Sequence, residues 1–137
     1  MTTEEGWLCY VSPSEPGKCH DFTLMKKKFS PEEFWFDTLG LRADLGFLGL
    51  ESQYSCKEVI LPHKKPKNHS LTEEQREENK ALAAHRVVVE HSIGGMKRYR
   101  VLSDRLRIHS IEIYDKILGV CAGLWNFHLK FSDQAVL

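Results

Sequence analysis

The sequence lacks a long apolar run, a C-x-x-C pair, a signal-peptide pattern and an excess of charge of either sign. Each absence removes a class of protein. The most apolar stretch, ILGVCAGLWNFHL (117–129), is short and broken by glycines, Asn126 and His128, whereas a bilayer span needs about 20 predominantly apolar residues. No membrane segment is expected. The four cysteines, Cys9, Cys19, Cys56 and Cys121, lie far apart, which argues against a disulfide framework or a zinc site and for a reducing cytoplasm. With 19 basic and 19 acidic residues the formal net charge is zero, so a histone-like polycation is excluded. Any surface for nucleic acid has to be a local patch.

What is present suits one folded unit. The chain has 137 residues, 42% apolar and 28% charged, and a domain of this size buries about 68% of its unfolded surface. No internal repeat or low-complexity tract is found. Trp7 to Val11 reads as a short strand closed by the turn cluster Ser-Pro-Ser-Glu-Pro-Gly. In KCHDFTLMKKKFSPEEFWFDTLG, Asp21 suits an N-cap and Pro31 a first helical residue, so two short helices or one broken helix are expected. LRADLGFLGL (41–50) reads as a short buried strand ending in a turn, with Asp44 where strand becomes loop. A brief apolar run, Val59 to Leu61, precedes the proline-interrupted HKKPKN, an exposed extended loop.

From Ser70 the pattern changes. Thr72-x-x-Gln75, or Ser70-x-x-Glu73, forms a capping box ahead of a long helix, EEQREENKALAAHRVVVEHSIGG, whose acidic start suits the positive end of the dipole. Gly94 and Gly95 each cost the helix about 1 kcal/mol relative to alanine, yet KRYRVLSDRLR can prolong it past a small-residue contact. A second helix opens near Ser110, with Ile113, Ile117, Val120, Cys121, Leu124 and His128 spaced along a buried face. Trp125, Phe127 and His128 read as core on this helix rather than as a base-stacking platform.

The stretch VVVEHSIGGMKRYR (87–100) sets a glutamate after three valines and a lysine seven residues later. Seven residues return to nearly the same azimuth, so Glu90 and Lys97 share a helix face about 10 Å apart along the axis. Glu90 is either a solvated edge residue paired with Arg86 at i, i+4, or a working group. Asp44 is the other carboxylate of interest. It is either a ligand at the carboxyl end of a strand or the first residue of an Asp-x-Gly turn.

Five blocks in order, GKCHDFTL (17–24), ADLGFLGL (43–50), ILPHKKPK (60–67), LTEEQxExNK (71–80) and HRVVVEHSIGGMKRYR (85–100), resemble the carboxyl-terminal half of the DDE transposases of bacterial insertion sequences, in the group numbered five. The resemblance runs from about Gly6 to Leu129. It implies an α/β, ribonuclease H-like (retroviral-integrase-like) catalytic domain over 1–137, with a strand, helix and strand over 6–50, a basic loop insertion over 51–70 and carboxyl-terminal helices over 71–131. It also implies two Mg²⁺ or Mn²⁺ ions held by two aspartates and a glutamate, with Asp44 the second aspartate, Glu90 the glutamate and Lys97 the basic residue of E-x6-K facing DNA. The valines would then pack the helix on the sheet. Hard oxygen ligands suit such ions, and a metal pair activates an attacking hydroxyl and stabilises the leaving oxygen.

The family's first aspartate falls in a segment that would precede Met1, so the expected fold lacks its first strands and the metal site is incomplete. Asp21 is read as a helix cap and His20 as a local or supporting residue, since imidazole suits Mg²⁺ poorly. His63, Lys64, Lys65 and Lys67 with Lys97, Arg98 and Arg100 read as a phosphate-contacting surface. The expected partners are double-stranded DNA at insertion-sequence ends and target, an amino-terminal transposase fragment, and a second copy through the open sheet edge. The expected place is the cytoplasm, at the nucleoid. A non-catalytic, transposase-derived DNA-binding or interaction module is the competing class.

Overall fold

The computed structural model describes residues 1–15, 18–104 and 110–132. The end of the expected turn cluster, Pro16 and Gly17, and residues 105–107 of KRYRVLSDRLR lie outside them. Two compact units divide the chain, residues 15–82 and residues 1–14 with 83–137. Among the described residues, helices and a two-stranded parallel sheet give a mixed α/β composition.

In the first unit, α1 (Asp21–Lys28) has an acid at its start and three lysines in its last turn, matching the dipole at both ends. The expected cap is corrected by one position: His20 is the N-cap, without a side-chain bond, and Asp21 is the first helical residue. No helix starts at Pro31. Residues 30–33 turn, with the Glu33 N–H donating to Ser30 O at 3.1 Å, and Phe36–Arg42 form strand β1. The strand therefore lies earlier than the 41–50 reading. Its partner is β2 (Cys56–Ile60), aligned in parallel with Leu41 opposite Val59 and Arg42 opposite Ile60. Such pairing is non-local, so local propensity does not reveal it.

Between the strands, a 3-10 turn over Leu45–Phe47 leads to α2 (Leu50–Gln53). Gly49 joins them at φ 90°, a left-handed conformation that glycine adopts without the Cβ penalty. The core here is Phe22, Met25, Phe36, Leu50 and Tyr54. The Tyr54 hydroxyl donates to Phe29 O at 2.6 Å, so the one polar tip in this core has a partner.

The second unit is built on α3 (Glu73–Lys97), α4 (Arg100–Ser103) and α5 (Ile111–Ser132). The first residues of α3 belong to the other unit. The capping box forms at Thr72: its N–H donates to Gln75 Oε1 at 3.1 Å, and the Gln75 N–H to Thr72 Oγ1 at 3.2 Å. The helix runs through both glycines and ends at Lys97. The expected burial of the valines is corrected, because Val87 and Val89 are exposed and the buried face of α3 is Ser92, Gly95 and Met96. Gly95 packs on the Trp125 ring, where a β-carbon would be no farther than 2.5 Å from three ring carbons. A side chain there is excluded.

On α5 the buried residues are Cys121, Ala122 and Trp125. Ile113, Val120, Leu124, Phe127 and His128 are exposed, against expectation. Apart from a polar stripe that carries Glu112, Asp115, Lys116 and Lys130 the helix is apolar, so periodicity leaves its inward direction open within a wide apolar arc; Trp125 against Gly95 and Asn126 against the amino-terminal segment select it. The expected strand at Trp7–Val11 is also absent, leaving a single antiparallel bridge between Thr2 and Leu8. Asn126 occupies the backbone of Leu8, accepting its N–H at 2.8 Å and donating to its carbonyl at 3.0 Å. Both ladder groups of Leu8 are thus spent on a side chain.

Candidate functional site

Asp44 stands two residues beyond the end of β1 and caps the 3-10 turn. The Gly46 N–H donates to Asp44 Oδ1 at 2.8 Å, an Asx turn that fixes the carboxylate on the backbone. The turn reading and the ligand reading are compatible, since only one oxygen is engaged. Among the described residues Oδ2 has no hydrogen-bond partner. The residue is half-buried, and the turn holds its carboxylate in orientation.

Gly46, read from the sequence as the glycine of an Asp-x-Gly turn, also shapes the space beside Asp44. A β-carbon there would meet Asp44 Oδ1 at 2.9 Å and lie 3.9 Å from His20 Cε1. The carboxylate and the imidazole edge thus converge on the space that glycine leaves open. The Asp-x-Gly spacing carried that signal, but it also marks an ordinary turn. Asp21 begins α1 next to His20 and is exposed.

Glu90 is exposed on α3. Among the described residues no ion pair joins it to Arg86, so Glu90 is a solvent-exposed carboxylate without that partner. Lys97 closes the same helix seven residues on and is exposed. Arg98 lies over the Trp125 ring at 5.7 Å from the centroid, and Arg100 pairs with Asp104 at 3.2 Å. Both residues are exposed. Asp44 and Glu90 belong to different units of the chain.

Lys64, Lys65 and Lys67 are exposed in the segment between β2 and α3. Among the described residues none of the three has an acidic partner. Their segment starts at His63, whose Nε2 meets Glu78 Oε2 at 2.5 Å.

No group of three or more His, Cys, Asp or Glu side chains is gathered to hold a metal ion among the described residues. The donor chemistry at Asp44 nonetheless suits a hard divalent cation, because among the described residues its Oδ2 carboxylate oxygen has no hydrogen-bond partner. Mg²⁺ is commonly held by one or two carboxylates, with water and substrate phosphate completing its shell. Among the described residues no helix is long and apolar enough to cross a membrane.

Comparison with known proteins finds related chains. A family model described as DDE superfamily endonuclease matches residues 1–126. The probable transposase for insertion sequence element IS702 of Microchaete diplosiphon is 34% identical over 119 residues, which is 85% of this chain and 40% of that relative. The chain spans about two fifths of the length of the curated relative it matches. No solved structure matches significantly.

Proposed function

Because the chain belongs to the DDE superfamily endonucleases of insertion-sequence transposases, we propose that it carries the second and third carboxylates of a DNA-cleaving and strand-transferring site on a ribonuclease H-like fold. Asp44 and Glu90 are those carboxylates. The observation that carries the reading is the Asp44 turn: the Gly46 N–H holds Oδ1, a side chain at Gly46 would crowd that oxygen, and among the described residues Oδ2 has no hydrogen-bond partner.

Asp44 and Glu90 would hold Mg²⁺ or Mn²⁺. When bound, these ions favour deprotonation of an attacking water or hydroxyl and stabilise the leaving oxygen. The chain's own contribution is positional. The Asx turn keeps Asp44 from rotating, His20 lies beside it as a local support, and the rigid α3 fixes Glu90 and Lys97 on one face. Lys97, Arg98 and Arg100 with Lys64, Lys65 and Lys67 neutralise phosphates and set the duplex in register, a role that carries no sequence information.

With two of three carboxylates, these 137 residues do not cut DNA unaided. A segment supplying the first aspartate completes the site, either an amino-terminal transposase fragment or that part of a longer chain. Apolar residues left open at Phe34, Trp35 and Leu39 and along α5 support association with such a segment or with a second copy. The setting is the bacterial nucleoid.

The test is a supercoiled-plasmid nicking assay in Mn²⁺, run with and without the amino-terminal part of the IS702-type relative. Nicking restored by the fragment and abolished by Asp44→Asn and by Glu90→Gln is the expected result. If no fragment restores nicking, while DNA binding persists in both variants, the chain is a non-catalytic DNA-binding module and the two acids are vestiges.

A further inference from the structure

The basic segment 63–67 is anchored at its root. The His63 N–H donates to Asn79 Oδ1 at 2.7 Å, and Asn79 Nδ2 donates to the His63 carbonyl at 3.0 Å. A single side-chain amide thus satisfies both backbone groups of one residue, as a neighbouring strand would. The His63 ring adds a third contact to Glu78, the residue before Asn79. All of these groups lie in the unit formed by residues 15–82.

The same device recurs in the other unit, where Asn126 takes both backbone groups of Leu8. There it ties down a segment that among the described residues has one β-bridge, Thr2 with Leu8. At His63 the tied segment follows β2 and carries Lys64, Lys65 and Lys67, each exposed and without an acidic partner among the described residues. Pro66 adds stiffness by biasing Lys65 to extended backbone. Residues 64–72 then return to the α3 capping box, so the segment is a loop with both ends held.

We propose that Asn79 is the positioning residue for the DNA-contacting arm, presetting where Lys64, Lys65 and Lys67 meet phosphate. This rests on the reading of that arm as a DNA contact. A free basic loop can still neutralise phosphates, but binding then carries the entropy cost of ordering it; an anchored loop has met that cost on folding. Asn79 touches no DNA in this scheme, and its effect passes through the backbone of His63.

Charge and order separate in a salt series. Binding of the 137-residue chain to a labelled mixed-sequence duplex is measured by anisotropy across NaCl concentrations. Asn79→Ala removes the anchor while favouring the helix, since alanine is the better helix former. Affinity is expected to fall about tenfold with the slope of log K against log salt unchanged, because the number of cations is unchanged. Replacing Lys64, Lys65 and Lys67 together by alanine reduces that slope by about 2.7.

Wild-type affinity in Asn79→Ala, with the lysine variant weakened, overturns the positioning role and leaves the DNA arm intact. Unchanged affinity and slope in the lysine variant overturn the arm itself and this proposal with it. Hydrogen exchange of the unmodified protein reads the anchor directly. Protection of the His63 amide is expected, and exchange at the open-chain rate rules the anchor out whatever the fold of the variant.

Discussion

Adjacent glycines in α3 should respond to the same substitution with opposite sign. At Gly94 an added β-carbon would have nothing within 4 Å, whereas at Gly95 that carbon would overlap Cε3, Cζ3 and Cη2 of Trp125. Gly94→Ala gains the helix-propensity difference, about 1 kcal/mol. Gly95→Ala gains the same amount but forces the indole or the helix to move. The indole is not free to yield, because its Nε1–H donates to Gly6 O at 3.2 Å and Arg98 covers its face. Overpacking of this kind costs about 3 kcal/mol at the upper end of its usual range, leaving a net loss of about 2 kcal/mol. The two variants then differ by about 3 kcal/mol, or about 2 M in urea midpoint for a slope near 1.5 kcal/mol/M. Urea titrations followed by helical circular dichroism measure this. Equal shifts of the same sign in both variants would refute the packing of Gly95 on Trp125.

Other perturbations test the remaining contacts. Tyr54→Phe removes the bond to Phe29 O and should cost the unit of residues 15–82 about 1 kcal/mol, read from its denaturation midpoint; an unchanged midpoint would deny the bond any net value. Thr72→Ala breaks the capping box and should cost about 1 kcal/mol, with faster amide exchange confined to the first turn of α3. Glu15 is hydrogen-bonded by Lys28 at 3.0 Å with Lys27 at 3.8 Å, and these two hold its carboxyl below its ordinary 4.5. A carboxyl lowered on folding stabilises above its unfolded pKa and loses that contribution as pH falls through the folded value. The advantage of wild type over Glu15→Gln should therefore shrink as pH falls below about 4.5; a difference constant across that range would remove the linkage.

The sequence alone determined what is local. The Thr72 and Gln75 capping box, the passage of α3 through two glycines and the Asp-x-Gly turn at Asp44 each need only neighbouring residues and were legible, whereas the expected continuation of α3 into KRYRVLSDRLR stops at Lys97. The family was legible too, because five short blocks in a fixed order are far more specific than any one motif. What tertiary structure decided is what depends on distant partners. Phe36–Arg42 is a strand because Cys56–Ile60 pairs with it, although its surroundings read as helix. Trp7–Val11 is not a strand, because Asn126 takes the backbone of Leu8. The buried face of α5 was ambiguous for the same reason: within its wide apolar arc, Gly95 and the amino-terminal segment choose which side turns inward. A side chain's neighbours across the chain set its burial, and no periodicity within one helix carries that information.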